Sequence, residues 1–320
     1  MEFPAANGIL TLRAAVSPSD QNNDAMTTLK TETPDPTHPG LDQYETGDIV
    51  AALVDDQGRA AEAVKRASAA IAAAVEAAVP RIRAGGRLIY VGAGTSGRLG
   101  LLDSVELWPT FSWPHDRAIA LLAGGPEAVY RAIEGAEDSR ERGEEDLRAV
   151  KPTRDDVVLL LAASGGTPYT LGALAAARAA GALTIGMGNN AGAPIAREAE
   201  IGIELDTGHE VISGSTRLKA GTAQKIALNT FSTALMVRLH KVYGNLMVDL
   251  LPTNAKLKDR AVRLTALATG ASSERALATL EKSDFQVKVA IVAITRNVTP
   301  AQARERLAAV HGSVRAALGG

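Results

Sequence analysis

The stretch from Arg87 to Gly100 constrains the fold most strongly, because it predicts a strand, a tight turn and a helix in immediate succession. Leu88–Val91 is a short apolar run of strand-forming residues, and glycines follow it at positions 92, 94 and 97. A turn of this kind directs backbone N–H groups and the positive end of a helix dipole at one point. Thr95 and Ser96 add hydroxyl donors there, so the turn suits a phosphate group.

Three interpretations of this turn remain open from the residues. Its glycines also fit the G-x-G-x-x-G pattern of dinucleotide-binding proteins. A dinucleotide site requires an acidic residue about 20 positions on, at the end of the next strand. The next predicted strand, Ala118–Ala123, ends instead in Gly124-Gly125-Pro126. That ending favours a phosphate monoester over NAD, and a purely structural glycine turn is the third alternative.

A second turn of the same type follows another apolar run. Val157–Ala163 is wholly apolar, as expected of a parallel strand covered on both faces. It leads into Ser164-Gly165-Gly166-Thr167-Pro168 and an alanine-rich helix at Tyr169–Ala180. Two such turns at the carboxyl ends of adjacent parallel strands would converge on one ligand. The candidate phosphate ligands are Thr95, Ser96, Ser164 and Thr167. Their simpler alternative role is to cap the helices that follow.

The hydrophobic periodicity predicts strands that alternate with helices, as in an open α/β fold with parallel strands. Thr46–Ala78 predicts two helices that separate near Asp55–Gly58. A helix at Leu99–Leu107 is expected to stop at Pro109. A helix from Glu127 to about Glu145 is expected to carry an acidic face, which by pattern alone is a solvated surface. That face consists of Glu134, Glu137, Asp138 and Glu141.

The chain divides into four predicted segments. Residues 1–30 form a flexible extension, within which Met26 is a hypothetical natural start of translation. Residues 31–80 supply a proline-rich loop and helices that pack on the core, and residues 81–254 form the sheet domain. Residues 255–320 predict a small domain of about three helices, broken near 270–273, 283–285 and 297–300. Ser272 and Thr299 are its predicted N-caps.

Charge and composition exclude several functional classes. The 34 basic and 36 acidic residues are interspersed, which argues against a nucleic-acid partner. No apolar run approaches the roughly 18 residues of a membrane span, and the start of the chain lacks signal-peptide features, so we expect a cytoplasmic protein. The chain has 0 cysteines, and its histidines lack metal-ligand spacing, so we assign no metal and no cofactor.

Several long motifs resemble one enzyme family. They are YVGAGTSGRLGLLD at 90–103, IEGAED at 133–138, GSTRLKAGTAQK at 214–225 and KVYGNLMVD at 241–249. The sheet portion resembles a sugar isomerase (SIS) domain, a phosphosugar-binding doubly wound fold. From about Thr31 to Leu318 the chain is similar to the N-acetylmuramic acid 6-phosphate etherases. The resemblance implies release of D-lactate from that phosphosugar, leaving N-acetylglucosamine 6-phosphate, during recycling of the bacterial cell wall.

The resemblance also implies a site. It assigns Glu106 as the acid that protonates the departing ether oxygen, and Glu137 as the other acid/base group. From the pattern alone, both would be ordinary helix-surface carboxylates. Lys219 is a candidate to neutralise the phosphate or the lactate carboxylate, although a lysine there can equally be a surface residue in a first helical turn. We expect both glutamates to face the two hydroxyl-bearing turns, and the resemblance implies a homodimer.

The chain departs from the family pattern at several positions. Glu106-Leu107-Trp108-Pro109-Thr110 stands where the family usually has Glu-Cys-Pro-Pro-Thr, and Asp35 stands where it usually has asparagine. Gly166 replaces the usual arginine of the second turn, which bears on how the substrate's anionic groups are bound. The alternatives are a non-catalytic sugar-phosphate-binding regulatory protein and an aldose–ketose phosphosugar isomerase. An assay for lactate against ketose separates them.

Overall fold

The computed structural model describes residues 29–319, so the hypothetical start at Met26 and nearly all of the expected extension lie outside it. Five strands form a parallel sheet in the order β2-β1-β3-β4-β5. This confirms the predicted α/β fold with a doubly wound, mainly parallel sheet. The strands are β1 (Leu88–Gly92), β2 (Ala118–Leu122), β3 (Val157–Leu161), β4 (Leu183–Gly188) and β5 (Ile201–Glu204).

Alternate residues of the central strands pack against opposite helical layers, because successive side chains of a strand point to opposite faces. Leu88 and Tyr90 join the core beneath one layer, and Ile89 and Val91 join the core of the other. The first layer comprises α1 (Thr46–Arg66), α2 (Ser68–Arg83), α3 (Gly94–Phe111) and α7 (Lys219–Arg238). The second comprises α4 (Arg140–Ala149), α5 (Pro168–Ala179) and α6 (Pro194–Glu198).

The C-terminal part has its own hydrophobic core, around Leu280 and Ile291. All three expected breaks occur, and they separate four helices. A further break near Gly312 leaves a last short helix, so residues 255–319 contain five helices in place of the expected three or so. The N-caps are confirmed: Ser272 accepts from Arg275 N at 3.3 Å and Thr299 from Gln302 N at 3.3 Å. The elements are β6 (Val242–Tyr243), β7 (Leu246–Met247), α8 (Ala255–Thr269), α9 (Ser273–Lys282), α10 (Val287–Arg296), α11 (Pro300–Ala309) and α12 (Val314–Ala317).

Two expected boundaries in the first layer are wrong. The break between α1 and α2 falls at Ala67, and Gly58 lies within α1. Burial of the same face on both sides of Gly58 keeps α1 continuous, since Asp56 and Ala60 are both buried. The helix α3 begins at Gly94 and runs through Pro109 to Phe111. Burial of Phe111 just beyond Pro109 outweighs the one backbone hydrogen bond that the proline removes.

The expected acidic helix starting at Glu127 is also wrong. The helix α4 begins only at Arg140, and Ser139 caps it by accepting from Arg142 N at 3.1 Å. Gly135 has φ of 68°, a left-handed conformation that interrupts a right-handed helix. Glu134, Glu137 and Asp138 therefore lie in turns between β2 and α4, and they do not form a helical face with Glu141.

Candidate functional site

The two hydroxyl-bearing turns lie side by side, because β1 and β3 are neighbours in the sheet. The strand β2 lies on one side of β1 and β3 lies on the other, so the strand order reverses at β1. Open α/β sheets bind ligands at such a reversal. The glycines of the first turn serve the close approach of α3 to the sheet. A Cβ at Gly92 would lie 2.8 Å from Gly97 N, and one at Gly97 would lie 2.5 Å from Gly92 O. Gly94 meets no such neighbour, but its φ of 52° favours glycine, so packing and backbone conformation explain the pattern without a dinucleotide.

The helices that leave these turns begin without side-chain caps. Neither α3 nor α5 has a side-chain hydrogen bond at its N-cap, although Thr167 occupies that position in α5. Ser164 Oγ instead accepts from Gly166 N at 3.2 Å and shapes its own turn. The helix-capping alternative for these hydroxyls therefore does not describe the structure. Two uncapped N-termini close together favour an anionic ligand.

Glu137 lies beside the first turn. It shares a cavity of about 250 Å³ with Ala93 and Gly94, at the start of α3. Its backbone carbonyl accepts a hydrogen bond from Tyr169 N at 3.0 Å, in the first turn of α5. Glu137 is therefore fixed between the two helices whose N-termini form the candidate anion site, and its side chain is exposed.

Arg98 is a cation in the wall of this cavity that sequence reasoning did not single out. Its guanidinium donates to the carbonyl of Ala128 at 2.9 Å and to that of Arg131 at 3.4 Å. These bonds tie α3 to the segment that leads to Glu137. Arg98 can be recognised in the sequence as a candidate, because it directly follows the glycine-rich pattern and lies in the first turns of α3.

Glu106 does not lie in this cavity. It follows Gly94 by three turns of α3, which at about 1.5 Å per residue separates the two positions by about 18 Å. The helix runs from the carboxyl edge of the sheet towards the opposite edge, where the chain enters β2. Glu106 is exposed there, beside the exposed apolar residues Leu102 and Val105. A single chain thus does not bring the two candidate catalytic glutamates together.

Asp103, one helical turn before Glu106 in α3, connects this helix to β1 and α7. Its carboxylate accepts from Tyr90 Oη at 2.8 Å, Asn229 Nδ2 at 2.6 Å and Ser232 Oγ at 3.1 Å. Burial raises the pKa of Asp103, the three hydrogen bonds lower it, and the negative charge of Glu106 raises it, with a net upward shift. Asp103 therefore fixes α3 against β1 and α7, and so fixes the direction in which Glu106 points.

Lys219 is 1% exposed, so its ammonium is not open to a ligand in this structure. The Nζ atom pairs with Asp56 Oδ1 at 2.6 Å and donates to the carbonyl of His209. Glu210, also fully buried, accepts from the backbone N–H groups of Lys219 at 3.0 Å and Ala220 at 2.8 Å. Burial raises the pKa of Glu210 more than these hydrogen bonds lower it. The N-terminus of α7 is thus occupied by an internal carboxylate.

Residues 29–319 contain no cluster of three or more histidine or acidic side chains arranged for a metal ion. Within the same range, no helix is both long and apolar enough to cross a membrane.

Two family models match the sheet domain. Residues 70–178 match the glucokinase regulatory protein N-terminal SIS domain, and residues 148–234 match the SIS domain. The first match contains both hydroxyl-bearing turns, and together the two matches extend from α2 into α7.

Full-length relatives match most of the chain. A Deinococcus radiodurans protein named N-acetylmuramic acid 6-phosphate etherase is 54% identical over 290 residues, which is 91% of this chain and 95% of the relative. Proteins of the same name from Rubrobacter xylanophilus and Salmonella enteritidis are 52% and 50% identical. Those matches cover 91% of this chain in both cases, and 96% and 98% of the two relatives.

Proposed function

Because the chain belongs to the N-acetylmuramic acid 6-phosphate etherase family, we propose that it cleaves the D-lactyl ether of this phosphosugar by elimination followed by addition of water. The position of Glu137 carries the proposal for the site. Glu137 shares a cavity with the first turn, and its backbone carbonyl accepts a hydrogen bond from Tyr169, which directly follows the second turn. The products are D-lactate and N-acetylglucosamine 6-phosphate, formed in the cytoplasm during recycling of peptidoglycan.

The phosphate occupies the two turns in this proposal. Backbone N–H groups at the starts of α3 and α5 point to it, and hydroxyl groups add further donors. Arg98, in the wall of the same cavity, adds positive charge nearby. Lys219 takes part as a positioning residue, because its ion pair with Asp56 holds α7 against α1. The proposed phosphate ligands are Thr95, Ser96, Ser164 and Thr167.

The reaction begins from the open-chain sugar, whose aldehyde at C1 makes the proton at C2 removable. Glu137, as a carboxylate, takes that proton, and electrons move to form the C2–C3 double bond while the C3–O bond breaks. Glu106, as a carboxylic acid, protonates the departing lactyl oxygen. Water then adds its hydroxyl at C3 while a proton returns to C2, so the two glutamates end in the states in which they began.

Glu106 reaches this site from a second subunit in our proposal. Within one chain it lies about 18 Å along α3 from the Glu137 cavity. On the same face of α3, Leu102 is 43% exposed and Val105 is 55% exposed. Leu102 and Val105 lie one helical turn apart, and an exposed apolar patch supports the assignment of a contact surface. A two-fold homodimer that covers them presents Glu106 of each subunit to the Glu137 cavity of the other.

The test is an assay of D-lactate release from N-acetylmuramic acid 6-phosphate. We expect Glu106→Gln and Glu137→Gln each to lower kcat by about a hundredfold or more, as for loss of a general acid or base. Both substitutions keep the size of an exposed side chain, so the melting temperature should not change. Formation of a ketose without lactate would establish the isomerase alternative, and binding without turnover would establish the regulatory one.

Mixed dimers test the second subunit's contribution. The two variants are co-expressed with different tags, and the heterodimer is purified through both tags. If the glutamates act across the interface, one of the two sites keeps both groups, and about half of the wild-type activity returns. If they act within one chain, each chain carries one defect and the heterodimer stays inactive.

A further inference from the structure

The N-terminal segment Leu29–Tyr44, here called the strap, crosses the carboxyl edge of the sheet. Thr31 is 0% exposed and forms reciprocal hydrogen bonds with Asn190, which follows β4. Thr31 N donates to Asn190 Oδ1 at 3.3 Å, and Asn190 Nδ2 donates to Thr31 Oγ1 at 3.0 Å. The strap is thus anchored by a buried side chain from the edge where open α/β sheets bind ligands.

The same amide group also forms a hydrogen bond at the start of the second hydroxyl-bearing turn. Asn190 Nδ2 donates to the carbonyl of Ala163 at 3.1 Å, and Ala163 directly precedes Ser164. Both N–H groups and the oxygen of the Asn190 amide are therefore engaged, and the side chain is 3% exposed. One buried amide joins the strap to the turn that carries Ser164 and Thr167.

Further bonds hold the strap against the loop between β5 and α7. Gly214 N donates to the carbonyl of Thr31 at 2.8 Å, and Ser213 Oγ donates to that of Glu32 at 2.7 Å. On the outer surface, Lys30 pairs with Asp206 at 2.9 Å, with both side chains more than a third exposed. The strap thus spans from the end of β4 to the loop that carries Glu210 and leads into α7 at Lys219.

We propose that Asn190 is a positioning residue for phosphosugar binding, because it fixes the Ser164 turn and the strap in one arrangement. This inference rests on the proposed phosphate site. When the hydroxyl of Thr31 or the amide of Asn190 is removed, the turn loses a restraint on the placement of its donors. The loss affects binding of the phosphosugar and leaves the glutamates and their proton transfers unchanged.

The experiment compares Thr31→Val, Thr31→Ser and Asn190→Ala with Lys30→Ala as the matched control. Thr31→Val removes only the acceptor for Asn190 Nδ2, and Thr31→Ser keeps it. Lys30→Ala removes the surface contact of the strap. We measure kcat and KM for lactate release, the Kd of the product N-acetylglucosamine 6-phosphate by calorimetry, and the melting temperature of each variant.

We expect Thr31→Val and Asn190→Ala to raise KM and the product Kd by about tenfold, since each leaves a buried polar group unpaired, while kcat stays within about twofold. Thr31→Ser and Lys30→Ala should match the wild type. A lower melting temperature with unchanged KM and Kd would show a merely structural role and overturn the inference, as would a fall in kcat at constant KM. If the wild-type protein releases no lactate, the proposed function is wrong. The product Kd values of the variants still decide the role of Asn190 in that case.

Discussion

At the scale of single residues, two neighbouring glycines in the second hydroxyl-bearing turn differ in the backbone and space that the fold requires of them. Gly165 has φ of 79°, and a Cβ there would lie 2.3 Å from Ala193 Cβ. Gly166 is exposed, its backbone is outside the left-handed region, and a Cβ would meet nothing within 4 Å. Only the first glycine is required by the fold, so the second is free to vary with substrate binding.

This contrast predicts opposite outcomes for two substitutions. Gly166→Arg should change the free energy of unfolding by less than about 0.5 kcal/mol. It should also lower KM several-fold, because it places a cation beside Ser164 and Thr167. Gly165→Ala should destabilise the protein by about 1–3 kcal/mol through backbone strain and the clash. Chemical denaturation and lactate kinetics on both variants make the comparison, and an unchanged KM in Gly166→Arg would place the phosphate elsewhere.

At the scale of elements, the start of β3 is fixed by a buried ion pair. Asp156 is 1% exposed, and it accepts from Arg87 N at 2.8 Å and from Arg87 Nη2 at 2.7 Å. It also accepts from Thr153 N at 2.8 Å. Burial alone would raise the pKa of Asp156, but the hydrogen bonds and charge of Arg87 and the hydrogen bond from Thr153 hold the pKa below the ordinary value of an aspartate. The ion pair joins the residues that directly precede β1 and β3, the two strands that lead into the hydroxyl-bearing turns.

The lowered pKa gives a stability prediction with a defined sign. A carboxyl whose pKa is lower in the folded than in the unfolded state stabilises the fold above the unfolded pKa, and this contribution is lost as pH falls through the folded pKa. Asp156→Asn should therefore cost about 3 kcal/mol at pH 7. The difference from the wild type should shrink as pH falls from about 4. Urea unfolding across this range measures it, and a difference independent of pH would contradict the assignment.

For the molecule as a whole, our proposal requires that two chains associate before either site is complete. Val105→Asp places a charge in the proposed contact surface, next to Glu106. We expect this variant to sediment as a monomer and to lose most lactate release, while its circular dichroism spectrum stays native. Leu267→Asp is the control, since Leu267 is a 66% exposed leucine in the C-terminal helices, far along the chain from α3. A dimeric, active Val105→Asp would remove α3 from the interface.

Local residue patterns were sufficient to predict the sheet and its two hydroxyl-bearing turns. Apolar runs such as Val157–Leu161 predict a strand covered on both faces, and close packing requires glycine at positions 92 and 97. The family motifs also singled out the glutamates. These features depend on local residue patterns, which can be recognised without coordinates.

The groups that contact one another could be identified only from the packed fold. The acidic run before Arg140 has helical spacing, yet Gly135 and the Ser139 cap place Glu137 in a turn beside α3. The helix α1 continues through Gly58 because residues on both sides of it are buried. Lys219 forms a buried ion pair with Asp56, and Asn190 forms hydrogen bonds with Thr31, 159 positions away in sequence. Periodicity reflects contacts within one element, whereas burial and ion pairing depend on residues that are far apart in sequence and that packing brings together.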